Sequence, residues 1–181
     1  MRLFVAVCPP EEARAHLATA LPDFPSEARV VPVAQWHLTL AFLDEVADEE
    51  VDGVRRAVEV AAGSTRPFAL QLAGAGAFGR ERGTVWVGLL GNTDRLAKLE
   101  RVLRGGLVAI GIQLESRPFL PHLTLARGVD LRKPAAAAAV AELTSYRGPE
   151  WRVDQLVLVH SRLGSSGPQH ETIGSWPLKQ A

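Results

Sequence analysis

Two apolar rhythms run through this chain, one with a period of two residues and one of three to four, and the switches between them mark its elements. Arg2-Leu3-Phe4-Val5-Ala6-Val7 is almost continuously apolar and predicts a first strand buried on at least one face. Pro9-Pro10-Glu11-Glu12 opens a helix to about Leu21, with proline tolerated in the first turn and carboxylates near the N-terminus. After a loop over Pro22–Ser26, Arg29–Val33 predicts a short strand and Gln35–Leu43 a longer one. Val51, Val54, Val58 and Ala62 form one stripe on a helix over Asp48–Ala62. Strands are predicted at Phe68–Leu72 and Thr84–Leu89. A helix from Asn92 to about Ile110 turns Leu96, Leu99, Val102 and Leu103 inward, with its last turns loosened by Gly105-Gly106. The order then repeats. Glu115–Pro121 leads into a strand at His122, an alanine-rich helix covers Lys133–Leu143, Trp151–His160 reads as one long strand, and Glu171–Trp176 as the last. This order predicts an α+β fold built on a duplicated unit.

The duplication is literal in one place. His37-Leu38-Thr39-Leu40 recurs as His122-Leu123-Thr124-Leu125. On a strand, side chains two apart share a face at about 7 Å, so each His and Thr point one way and the leucines the other, toward a core. Two such strands facing each other would set two imidazoles and two hydroxyls around one small volume. That layout suits acid–base chemistry from both sides of a single phosphorus or carbonyl centre. A core has no use for an imidazole at both places, because burying such groups without partners is costly. Of the other histidines, His16 reads as a surface residue and His160 and His170 as structural ones.

Composition narrows the options. The 181 residues predict one domain, or two lobes sharing one fold, and a formal net charge of zero argues against a protein that grips long nucleic acid through many phosphate contacts. Recognition of a single strand end or nucleotide stays open. Cys8 is the only cysteine, which excludes an internal disulfide or a thiolate metal cluster, and it reads as a small apolar residue ending a buried strand. The apolar start is too short for a secretory signal and no run reaches the ~18 residues of a membrane span, so a cytoplasmic location is expected.

Gly74-Ala75-Gly76-Ala77-Phe78-Gly79 has the spacing of a dinucleotide fingerprint but leads into Val85-Trp86-Val87, a strand where that fingerprint needs a helix. It reads as a glycine-rich turn. No Gly-x4-Gly-Lys-Ser/Thr loop and no Gly-x-Ser-x-Gly elbow occur. His-x-Thr is a poor ligand set for a transition metal, so neither metal nor cofactor is expected.

The chain resembles the 2H phosphoesterase superfamily and, within it, the RNA 2′,3′-cyclic phosphodiesterases also described as 2′-5′ RNA ligases. The resemblance rests on both His-x-Thr-x copies, on Trp36 and Ala41-Phe42-Leu43 around the first, and on Arg117-Pro118-Phe119-Leu120-Pro121 and Ala126-Arg127 around the second. It extends to Arg2–Val7, Val85–Gly88, Ser161-Arg162-Leu163, Gly167-Pro168 and Trp176-Pro177-Leu178. It implies two pseudo-twofold lobes of antiparallel sheet and helices around a central cleft, as one bilobal domain over residues 1–181. It makes His37 the proton donor and His122 the proton acceptor, with Thr39 and Thr124 donating to the phosphate oxygens, Arg127 a phosphate contact and Phe42 a base-stacking surface. The implied partners are RNA ends or nucleoside 2′,3′-cyclic phosphates, with no cofactor, membrane or obligate protein partner. The same four residues would serve an ADP-ribose cyclic phosphate or 2′-5′ oligonucleotide phosphodiesterase. A binding module without turnover is the rival from another class. Two departures stand out: Asp44 replaces the family's usual Gly and is expected to matter little, and His170 replaces its usual Tyr, which leaves base preference open.

Overall fold

The computed structural model describes residues 1–164 and 167–180. The elements are β1 (Arg2–Val7), α1 (Glu11–Thr19), β2 (Arg29–Val30), β3 (Leu38–Glu45), α2 (Val51–Ser64), β4 (Phe68–Phe78), β5 (Gly83–Gly91), α3 (Thr93–Ala109), β6 (Leu123–Val129), α4 (Pro134–Thr144), β7 (Arg147–Val153), β8 (Gln155–Gly164) and β9 (Gly167–Pro177). They form one antiparallel sheet in the order β7-β4-β5-β6-β3-β1-β8-β9, with β2 added to β6. The order is symmetric about its middle. Four strands lie on each side of the β6–β3 seam, which is closed by the single pair Leu38–Leu123. The fold is therefore α+β with two pseudo-twofold lobes, as expected, and the axis passes between the two motif copies.

The motif leucines explain why the strands lie as they do. Leu38, Leu40, Leu123 and Leu125 are buried in a core shared with Val54 and Val58 of α2 and Leu96, Leu99 and Leu103 of α3. Full burial of each such side chain contributes about 1.5–3 kcal/mol. The opposite face of the central strands stays open to solvent and carries the polar half of each motif. None of the described helices is long and apolar enough to cross a membrane.

Several sequence expectations need correction. Trp151–His160 is not one strand: β7 and β8 meet at Asp154, β7 pairing with β4 at one edge and β8 with β1 in the other lobe. The glycine-rich segment is not a turn but the end of β4. Gly74 (φ 65°) makes a bulge there, and Gly76 lies under the Trp86 indole, where a Cβ would come within 2.3 Å of the ring. Gly105-Gly106 does not loosen α3, which runs unbroken to Ala109. A Cβ on Gly106 would sit 3.4 Å from that of Ala57, so the glycine lets α2 and α3 approach. Cys8 is exposed just beyond β1 rather than buried. Asp44 is the one described non-glycine residue with positive φ, at 55°. An Asp there costs up to about 1 kcal/mol relative to the glycine that such a backbone favours, so this departure carries a conformational price of its own.

Candidate active site

Both motif histidines stand one residue before their strands, at Leu38 and Leu123, rather than within them. Each is held the same way. His37 Nδ1 lies 2.6 Å from the carbonyl of Gln35, and His122 Nδ1 lies 2.7 Å from that of Leu120. A carbonyl can only accept, so each ring carries its proton on Nδ1 in the neutral state and leaves Nε2 free for a ligand. The approach to His37 is pinned from behind: Trp36 is buried and its Nε1 donates to the Val31 carbonyl at 3.0 Å. Gln35 ties the same segment to β9, the edge strand of its own lobe, by donating to the Pro168 carbonyl at 2.9 Å.

After each motif the strand bulges. Ala6 pairs with Thr39 and Val5 with Ala41, skipping Leu40; Trp86 pairs with Thr124 and Val85 with Ala126, skipping Leu125. The extra residue reverses the side-chain parity. Phe42 and Arg127, which simple alternation would turn toward the core, are thereby exposed on the face of the motif hydroxyls. Both copies use the same device.

The result is a cavity of about 500 Å³ lined by His37, Thr39, His122, Thr124 and Arg127, with Arg29 and His170 on its walls. A second hollow of about 800 Å³ shares Thr39, His122 and Arg127 and continues past Phe42, Phe78 and Phe119. Each imidazole is packed by aromatics that the sequence reading did not single out. Phe4 stacks on His37 at 4.6 Å and the edge of His170 meets it at 5.4 Å; Phe78 meets His122 edge-on at 5.1 Å. His170, read from the residues alone as structural and from the family pattern as a departure from Tyr that leaves base preference open, is a wall of the cavity. His160 is outside it, close to Arg162 Nε at 3.3 Å, and exposed His16 bonds the Tyr146 hydroxyl at 2.9 Å. Among the described residues no three His, Cys, Asp or Glu side chains converge as a metal site would require.

Burial pushes the His37 imidazole down to about 4, helped by the charges of His170, Arg127 and His122 and opposed by the Gln35 carbonyl. Burial, then Arg127, lowers His170 as well, and Arg127 is itself lowered by partial desolvation and by Arg29. His37 is therefore neutral in the free protein at pH 7. The unfolded chain protonates this ring near its ordinary value of about 6.5, the folded chain only near 4. Between those values the unfolded state holds the extra proton. Stability is thus fully present above about pH 6.5 and falls as pH drops toward 4, by up to about 3 kcal/mol from this group. Urea denaturation at pH 7 and pH 4.5 should show the His37→Gln variant losing less stability than the parent. Equal losses would contradict the assignment.

Two imidazoles with free Nε2 atoms, two hydroxyls and a guanidinium around one cavity can bind an anion and move protons on two sides of it. Residues 9–164 match the sequence profile of the 2′-5′ RNA ligase superfamily. The chain is 35% identical to an RNA 2′,3′-cyclic phosphodiesterase of Thermus thermophilus, over 99% of this chain and 91% of that protein. It is 30% identical to one of Geobacillus stearothermophilus over 97% of this chain, but spans only 56% of that protein's length. The crystal structure of Escherichia coli LigT complexed with 3′-AMP superposes with a TM-score of 0.77 and 29% identity, over 99% of this chain and 98% of that one. Sequence and architecture agree: the chain belongs to the 2′-5′ RNA ligase superfamily, with the RNA 2′,3′-cyclic phosphodiesterases as its relatives.

Proposed function

We propose that this chain is an RNA 2′,3′-cyclic phosphodiesterase, one bilobal domain over residues 1–181 that opens cyclic phosphate ends in the cytoplasm. It works by metal-independent acid–base catalysis. The observation that carries the reading is the pair of identically tethered imidazoles, each presenting Nε2 to the same cavity beside its own threonine hydroxyl. His122 takes a proton from water as the water oxygen bonds to phosphorus. His37 delivers a proton to O3′ as the P–O3′ bond breaks, leaving a 2′-phosphomonoester and a free 3′-hydroxyl. Thr39 and Thr124 donate to the non-bridging oxygens, Arg127 neutralises their charge, and Phe42 offers a stacking face to the base.

The neutral resting state of His37 fits this sequence once substrate is bound. An anionic phosphate at Nε2 favours the imidazolium, so the acid is assembled together with the substrate and a proton is taken up on binding. The same neutrality suits His37 as the base in the reverse sense: a 3′-hydroxyl gives it a proton while attacking the phosphorus of a 2′-5′ linkage, and the P–O5′ bond breaks. Protonated His122 gives its proton to the departing 5′ oxygen as the cyclic phosphate re-forms, so reversible 2′-5′ ligation belongs to the proposal.

The test is a product-resolved assay in EDTA with nucleoside 2′,3′-cyclic phosphates, an RNA cyclic end, ADP-ribose cyclic phosphate and 2′-5′ dinucleotides. Turnover of the first two to the 2′-phosphate alone is expected. Loss of turnover on chelation, a 3′-phosphate product, or saturable binding without product would each refute the reading. Preference for either of the last two substrates would reassign the specificity.

A further inference from the structure

Arg29 has no role in the mechanism above, yet its place is not that of an ordinary surface cation. In the short β2–β6 ladder its Cα is the direct partner of that of Arg127, so the two side chains leave the same face of the sheet side by side. Like charges directly opposite one another on a ladder are destabilising. Nothing in the protein relieves them: among the described residues neither guanidinium has a carboxylate within 4.0 Å. Both line the motif cavity, and among the described residues that cavity has no acidic side chain in its wall, although the chain as a whole has 20 acidic and 20 basic residues. The carboxylates nearest in sequence are engaged elsewhere, Glu27 by Lys133 and Asp130 by Arg132. A concave, purely cationic wall concentrates field on whatever anion enters it.

The pair also lies beyond the reacting centre. Because Leu125 is bulged out, Thr124 opposite Trp86 and Arg127 opposite Thr84 lie two ladder positions apart, about 7 Å at ~3.3 Å per residue, and Arg29 lies one strand further out beside Arg127. One tetrahedral phosphate held by the two threonines and two imidazoles leaves Arg29 without an anion.

We propose that Arg29, with Arg127 bridging to it from the reacting phosphate, forms a second phosphate subsite, which takes a phosphate group one nucleoside away from the cyclic phosphate undergoing reaction. This rests on the phosphodiesterase reading and deepens it. The preferred substrate is then a nucleotide carrying a further phosphate on its 5′ side, whether a terminal monoester or the next linkage of a chain, rather than a nucleoside cyclic phosphate alone.

The test compares kcat/KM for adenosine 2′,3′-cyclic phosphate with that for the same compound bearing a 5′-phosphate, at low salt. Charge-assisted contacts from two arginines should favour the second substrate by about tenfold. Raising the salt to 0.5 M should shrink the preference, because the extra contacts are ionic. In Arg29→Gln the ratio should fall to within about twofold of unity, while Arg29→Lys should keep part of it. A ratio near unity in the parent protein, or one that survives Arg29→Gln, overturns the subsite while leaving the phosphodiesterase reading intact. If neither substrate is opened, both fall together. A dinucleotide bearing a 2′,3′-cyclic end separates the sources of the phosphate: preference for it over the 5′-monoester assigns the subsite to a chain linkage.

Discussion

His122→Ala and His37→Ala should each lower kcat for cyclic phosphate opening by on the order of 10²–10⁴, and the double variant should be scarcely worse than the poorer single one. In the proposed mechanism the two rings act on one displacement, so removing either leaves the partner's proton transfer uncoupled from bond formation. The singles should differ in other respects. His37 is stacked on Phe4 and edged by His170, so truncation opens a gap and also removes the ring whose ionisation opposes folding at low pH. His122 has an edge contact with Phe78 and a more distant tilted one with Trp86, and it fronts both hollows. Added imidazole should therefore rescue His122→Ala better than His37→Ala. Urea denaturation of each variant separates lost chemistry from lost fold. A single variant within threefold of the parent, with the fold intact, would remove that ring from the mechanism.

The sequence made the polar half of the site visible because it is written twice. Leucines buried on the core side fix the register, and a strand so fixed has no choice about where its His-x-Thr side points. What was hidden arises from departures from regular alternation. Arg127 and Phe42 reach the cleft only because each strand bulges at Leu40 and at Leu125. A signal for this existed, since Leu40-Ala41 and Leu125-Ala126 place two buried residues in succession and break the period of two. Phe4, Phe78 and His170 could not be assigned from spacing, because β1, β4 and β9 meet the motifs only through the sheet order. His170 in particular enters from the last strand of the chain, at the edge of the lobe that holds His37. The fusion of β7 and β8 into one predicted strand has a different origin: only the polar pair Asp154-Gln155 interrupts the apolar pattern there, and pairing in opposite lobes separates the two.

Thr39→Val and Thr124→Val should each raise the barrier by about 2–4 kcal/mol at most, which is roughly 30- to 10³-fold in kcat, with KM changed far less. Valine keeps the branched shape at Cβ, so the bulged registers that place these residues opposite Ala6 and Trp86 should survive. In the proposed mechanism, what is lost is a donor to a non-bridging oxygen. Charge on that oxygen grows as the attacking water bonds to phosphorus, so the donor is worth more in the transition state than in the bound ground state, and kcat carries the loss. Thr→Ser at either position retains the hydroxyl and should stay within about tenfold of the parent, the cost being a freer χ1. Because the copies face each other across the seam at Leu38–Leu123 and both threonines line one cavity, the proposed mechanism has the two hydroxyls share one phosphate from opposite lobes. Their combined loss should then fall short of the sum of the single losses, a coupling that a double-mutant cycle measures directly. Single-turnover rates for the four proteins, with melting curves alongside, decide the matter. Full additivity, or a loss confined to KM, would mean that the threonines seat the substrate without sharing in the chemical step.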